Sequence, residues 1–176
     1  LAGLSIYRLY FAQPPGPYAV FSGSTMGTTW NVKVAGDNLR PDAMRAIGSA
    51  IEDALNDVVG RMSTWEERSE LSRFNAMHSS APFSISQPVI EVLEIAHQVS
   101  RRSGGAFDVT IGPLVNAWGF GSQGSTTSPP SEIAIQRLLR SVGYRGLKLD
   151  PKTRTLEKSR PQMQVDVSAI AKGYGV

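Results

Sequence analysis

The sequence has no cysteine and only two histidines, His78 and His97, among its 176 residues. The first absence excludes a disulfide framework, a thiolate zinc or iron–sulfur site, a thiol nucleophile and thiolate redox chemistry. The second excludes a histidine-rich metal cage. An excess of charge of one sign is also missing: 18 Lys and Arg face 15 Asp and Glu, a net charge of +3. The isoelectric point of about 9.4 comes without a basic block, and Arg101-Arg102 is the only adjacent basic pair. No nucleic-acid partner is therefore expected. Long apolar runs are lacking too, since Leu1 to Ala12, interrupted by Arg8, falls short of the roughly 20 residues that span a bilayer. What is present, 41% hydrophobic and 19% charged residues, excludes a disordered tail and is enough to bury a core.

The chain starts without an initiator Met, so an upstream segment is expected. Residues 1–17 read as the remnant of a signal peptide or membrane anchor followed by the linker Gln13-Pro14-Pro15-Gly16-Pro17. A buried strand or docking segment is the alternative for the same stretch. Residues 18–176 contain no linker strong enough to divide domains and no internal repeat. Tyr18 to Ser22 and Thr29 to Val34 predict two strands around a tight Gly-Ser-Thr-Met-Gly turn. Pro41 suits the first turn of a helix, in which Met44, Ile47, Ile51, Ala54, Leu55, Val58 and Met62 form one apolar stripe. A second helix is predicted from Pro88 to Ser103, with Val89, Val92, Leu93, Ala96 and Val99 inward and Gly104-Gly105 as its stop. A third is predicted after the cap Ser131, through Ile135, Leu138, Leu139 and Val142 to Gly143. Gly119 to Pro130 reads as a surface loop. Short strands are predicted at Gly146 to Asp150, Thr155 to Lys158 and Met163 to Val167, and strand–helix alternation with hairpins argues for an α+β fold.

Four polar or glycine-rich constellations carry candidate chemistry. Ser24-Thr25-Met26-Gly27-Thr28-Thr29 suits a turn whose backbone approaches a ligand, or simply a good hairpin turn. The stretch Met62-Ser63-Thr64-Trp65, followed by Ser69-Glu70-Leu71-Ser72-Arg73-Phe74-Asn75, sets a tryptophan among polar groups. Its face fits an aromatic ligand or the rim of a core, and Ser69 suits the cap of a short helical turn. Gly104-Gly105-Ala106-Phe107-Asp108 lets backbone pass close to a bulky group, with Asp108 as an acceptor that either meets a ligand or binds nearby backbone N–H groups. Asp166-Val167-Ser168-Ala169-Ile170-Ala171-Lys172 has the form of a nucleotide-handling strand–turn–helix. It is neither a Walker A loop nor a Gly-x-Gly-x-x-Gly fingerprint, and no Gly-x-Ser-x-Gly elbow or His-Glu-x-x-His helix is present.

In this order the four motifs resemble the ApbE family, the FAD:protein FMN transferases of bacterial envelopes, over about Phe21 to Val176. The resemblance implies an ApbE-like, T-fold-related arrangement of mixed sheets and packed helices, truncated at the C-terminus. It implies FAD as substrate, Mg²⁺ as metal, and transfer of FMN to a Thr or Ser hydroxyl of an acceptor protein of an envelope electron-transfer system, with AMP released. It implies a location in the periplasm or on the outer face of the cytoplasmic membrane. Carried over by motif position, Met26 would contact the flavin nucleotide and Trp65, where the family usually has tyrosine, would stack on the isoalloxazine. Ala106, Phe107 and Asp108 would line the FAD pocket, Asp166 and Lys172 would hold its polar parts, and the Ala169 carbonyl would face Mg²⁺, which prefers oxygen. Tryptophan keeps the stacking face and loses the phenol. The side-chain metal ligands and a catalytic histidine are expected beyond Val176, while His78 and His97 are expected to be structural or solvated. A non-catalytic envelope FAD-binding or flavin-storage module is the alternative, and an envelope assembly factor a third reading.

Overall fold

The computed structural model describes residues 18–36, 40–122, 124, 126 and 128–176. The expected anchor remnant, residues 1–17, lies outside the described residues. Among those described, no helix is long and apolar enough to cross a membrane. The chain divides into two compact units, Leu1–Leu55 and Asn56–Val176.

In the first unit, β1 (Tyr18–Thr25) and β2 (Thr28–Ala35) form an antiparallel hairpin in register from Tyr18↔Ala35 to Thr25↔Thr28. The two-residue turn holds Met26 at φ 50° and Gly27 at φ 71°. Two successive positive φ values define the type I′ geometry, whose twist matches that of the flanking strands. Helix α1 (Pro41–Met62) begins in this unit, with Asp42 in its first turn and Arg61 in its last. Both charges complement the helix dipole. Along its stripe Val58 and Met62 are buried, Met44, Ile47, Ile51 and Leu55 half-buried, and Ala54 exposed.

The second unit holds the main core. The short helix α2 (Glu70–Ala76) is capped by Ser69, whose hydroxyl accepts the Ser72 N–H. Strand β3 (Phe83–Ser84) leads into α3 (Gln87–Arg102), followed by α4 (Gly112–Ala117) and α5 (Glu132–Leu139). A 3-10 turn (Tyr144–Gly146) precedes β4 (Leu147–Asp150) and β5 (Thr155–Lys158), and α6 (Ser168–Tyr174) closes the chain. The second sheet is antiparallel in the order β3-β5-β4. Helix α3 packs against α6 and β4 and buries Val89, Ile90, Val92, Leu93, Ala96 and Ser100. Val99, expected inside, is partly exposed, because the inward phase runs 89–93–96–100 at helical spacing and passes it by. The helix ends in a Schellman motif: Gly105 N–H bonds to Ser100 O and Gly104 N–H to Arg101 O, with both glycines at positive φ.

The fold is α+β, as the alternation of elements predicted, with three differences in detail. Helix α5 stops at Leu139 instead of continuing toward Gly143, since Ser141 and Val142 bond back three residues, to Leu138 O and Leu139 O. Helix α4 forms where only a glycine-rich motif was read, started by Pro113 in its first turn. The third difference is Met163 to Val167, which is extended and alternately buried yet is not a ladder strand. Its one strand-like pairing is a parallel bridge between Gln164 and Ile111. Its backbone groups go elsewhere: Val165 N–H and O both bond the Asn75 carboxamide, and Asp166 N–H bonds Val109 O.

Candidate functional site

The serine-rich stretch after α1 builds a tight turn. Ser63 Oγ accepts the backbone N–H groups of Trp65 and Glu66 at 3.0 and 3.1 Å. The Ser63 carbonyl in turn accepts the hydroxyls of Ser69 and Ser72. The turn is thus fastened to the first turn of α2, and the Trp65 side chain is left 64% exposed. Trp65 is therefore not an anchor at the rim of the core. It lines a cavity of about 630 Å³ together with Glu67, Asn75, Asn116, Gln164 and Asp166, and Thr64, Ser122 and the exposed His78 line it as well. That volume falls within the range of about 300–1,000 Å³ usual for small-molecule sites.

The wall opposite in sequence is the 164–166 segment, clasped from two sides. Asn75 Oδ1 accepts Val165 N–H at 2.7 Å, and Asn75 Nδ2 donates to Val165 O at 2.8 Å. On the other flank Asn116 Nδ2 donates to Gln164 Oε1 at 3.1 Å. Asp166 caps the entry to α6 by accepting Ser168 N–H on Oδ1 at 2.8 Å. Among the described residues its Oδ2 carries no hydrogen bond, and neither does the Gln164 Nε2 donor. Among the described residues the lining has two carboxylates, Glu67 and Asp166, and no Lys or Arg. Such a lining accepts hydrogen bonds from hydroxyls and ring N–H groups and offers a stacking face.

The other expected site residues of the second unit are not part of this lining. Asp108 is committed to the backbone: Oδ1 accepts Thr110 N–H and its hydroxyl at 2.8 and 2.6 Å, and Oδ2 accepts Tyr144 N–H at 2.8 Å. It locks the loop after α3 to the turn before β4, helped by Thr110 Oγ1 accepting Gly143 N–H at 2.7 Å. Ala106 is exposed and Phe107 half-buried, its N–H held by Ser103 Oγ. Ala169 and Lys172 are exposed on α6. Met26 occupies the hairpin turn of the first unit. Among the described residues no group of three or more His, Cys, Asp or Glu side chains comes together to hold a metal.

Sequence reasoning did not single out Asn75, Asn116, Gln164 or Glu67 as lining. Asn75 lay inside a motif already quoted, but nothing local tells that its carboxamide meets residue 165. A half-buried histidine and a buried lysine lie off the cavity. His97 sits edge-on to the Tyr144 ring, its Nε2 without a partner among the described residues. Burial and, to a smaller degree, the nearby Arg101 hold its pKa below the usual imidazole value, partly offset by Asp108. Lys158 is 1% exposed, and burial holds its pKa below the ordinary lysine value.

Comparison with known proteins gives this geometry a family. A FAD:protein FMN transferase from Vibrio cholerae is 37% identical over 172 residues, which are 98% of this chain and 51% of that protein. One from Haemophilus influenzae is 40% identical over 158 residues, 88% of this chain and 46% of that protein. The solved structure of the flavin transferase ApbE from Vibrio cholerae superposes with a TM-score of 0.85 at 38% identity, covering 92% of this chain and 52% of that one. The apo flavinyl transferase ApbE of Pseudomonas stutzeri superposes with a TM-score of 0.82 at 32% identity, covering 94% of this chain and 54% of that one. The chain thus spans about half the length of the relatives it matches. The ApbE family profile matches residues 26–176, and the chain belongs to the ApbE family.

Proposed function

We propose that the complete protein transfers the FMN half of FAD to a Thr or Ser hydroxyl of an acceptor protein and releases AMP. The observation that carries this reading is the exposed Trp65 indole lining the same cavity as Asp166. Its face is open to a flat aromatic ring, and the Asp166 Oδ2 acceptor is free for a donor of the nucleotide. The names of the relatives, FAD:protein FMN transferase, support flavin transfer as the reaction.

In the transfer the acceptor oxygen bonds to the FMN phosphorus and the phosphoanhydride bond to AMP breaks, while the hydroxyl proton passes to a base. Such a reaction depends on positioning and charge neutralisation more than on a protein nucleophile, in keeping with a chain that has no cysteine. The chain's part is to bind and orient the flavin half. Mg²⁺ belongs to the proposal through the family resemblance, with the Ala169 carbonyl as one donor. The described residues do not by themselves assemble a metal centre, and no step is routed through the ion. An acceptor in an envelope electron-transfer system, and a periplasmic or membrane-anchored location, belong to the same proposal.

The test is in-gel flavin fluorescence of a denatured acceptor after incubation with the complete protein, FAD and Mg²⁺. A fluorescent acceptor band that EDTA abolishes is the expected result. A band indifferent to EDTA overturns the metal requirement. FAD binding without any band overturns transfer and favours flavin storage.

A further inference from the structure

Lys158 ends β5 deep in the second unit and makes no ion pair among the described residues. A buried cation without a carboxylate is costly unless other groups take up its hydrogen bonds. Here three carbonyls do so: Nζ donates to Phe74 O at 3.0 Å, to Met163 O at 3.2 Å and to Asn75 O at 3.4 Å. Phe74 and Asn75 lie in the last turn of α2, where the dipole favours a cation, and Phe74 O accepts the Met77 N–H as well. The ammonium also sits 4.8 Å from the centroid of the Phe74 ring.

Taken with the Asn75 carboxamide, this makes one staple. Lys158 joins the end of α2 to residue 163, and Asn75, whose own carbonyl Lys158 holds, grips residue 165. Between and beyond these points stand Gln164 and Asp166, the two polar side chains that this segment gives to the cavity. Among the described residues no sheet ladder fixes this segment, and the staple shares its placement with the Gln164–Ile111 bridge, the Asp166 N–H bond to Val109 O and the Asn116–Gln164 bond.

We infer that Lys158 is a positioning residue for the flavin site, acting through Asn75 and the 163–165 backbone to set where Gln164 and Asp166 stand in the cavity. The inference rests on the reading of this cavity as the flavin site. Lys158→Met keeps the aliphatic length and removes the three donated bonds. Asn75→Ala removes the grip on residue 165 and leaves Lys158 in place.

The test titrates FAD, followed by its fluorescence, into the complete protein and each variant at temperatures where circular dichroism shows every one folded. Lys158→Met and Asn75→Ala each weaken FAD binding by about tenfold, the scale of a displaced positioning group. Lys158→Arg, which keeps the charge and donors, recovers part of the loss. Combined with Asp166→Asn, either variant costs less than the sum of the separate losses, because both act through the same wall. Wild-type affinity in the folded variants, or strict additivity with Asp166→Asn, overturns the inference. If Lys158→Met does not fold, Asn75→Ala decides by the same criteria. Failure of the unsubstituted protein to bind FAD removes the flavin reading and the inference with it, whereas equal binding by protein and variants removes the inference alone.

Discussion

Residues 30–34 of the hairpin and residues 163–167 share an alternation of apolar and polar side chains, and the two stretches meet opposite fates. In the hairpin every residue of both strands is paired across the ladder, yet only Ala19 is buried. In the later segment Met163, Val165 and Val167 are 1% exposed or less, yet among the described residues one isolated bridge is its whole strand pairing. Alternation therefore reports which side chains face inward, not what satisfies the backbone. The hairpin pairs the facing half of its backbone groups within itself and turns the other half outward. The 163–167 segment satisfies much of its own with a lysine, an asparagine and the Val109 carbonyl, beside the one bridge and the turns at its two ends.

Two asparagines break or sharpen this contrast most directly. Asn75→Ala strips both hydrogen bonds from a buried residue's backbone and lowers unfolding free energy by about 2 kcal/mol. Asn31→Ala, on an exposed position of β2, changes it by less than about 0.5 kcal/mol. Urea unfolding of the two variants beside the parent measures both. Equal losses would mean that the carboxamide grip on residue 165 does not stand in for a ladder.

A smaller effect of opposite sign is expected at the hairpin turn. Met26 is held at φ 50°, a region that costs a side-chain-bearing residue about 1–2 kcal/mol and that asparagine tolerates better. Met26→Asn creates the Asn-Gly pair that type I′ turns favour and raises unfolding free energy by about 1 kcal/mol, read as a higher melting temperature. On the proposed function the same change lowers FAD affinity, because the thioether is lost where the family motif places a flavin contact. A variant both more stable and equally tight for FAD would leave methionine in that strained turn without a functional reason.

What could be read from the sequence divides along the same line. The hairpin, α1, the Ser69 and Ser131 caps and the Gly104-Gly105 stop all depend on neighbours within a few residues, and each is visible in local residue chemistry. Trp65 is a candidate from sequence because a tryptophan amid serines and glutamates has no local partner for its face, and the fold leaves it exposed beside a cavity. The Asn75 grip, the Asn116–Gln164 bond and the Lys158 staple join residues 90, 48 and 84 positions apart. Nothing in single-sequence periodicity encodes such pairings. Asp108 shows the reverse case: a loop acid inside a glycine-rich motif, whose carboxylate the fold spends on Thr110 and Tyr144.

His97 supplies the last and smallest comparison, because it is the unsatisfied counterpart of Asn75 in the same unit. Its Nε2 has no partner among the described residues, and burial holds its pKa below the ordinary 6.5. Arg101, one turn along the same helix, opposes protonation, while Asp108 partly favours it. As pH falls through about 6.5, the unfolded chain takes up the proton before the folded one, so stability declines. The decline stops once the folded imidazole is protonated as well, and above this window the group adds no pH dependence. His97→Phe keeps an aromatic edge against Tyr144 and removes the titration. Melting temperatures of parent and variant, measured from about pH 7.5 down to 5, should therefore diverge only below the ordinary imidazole value, with the parent losing more. Parallel curves would mean that the imidazole finds a partner when protonated, and the contrast with Asn75 would then be one of degree.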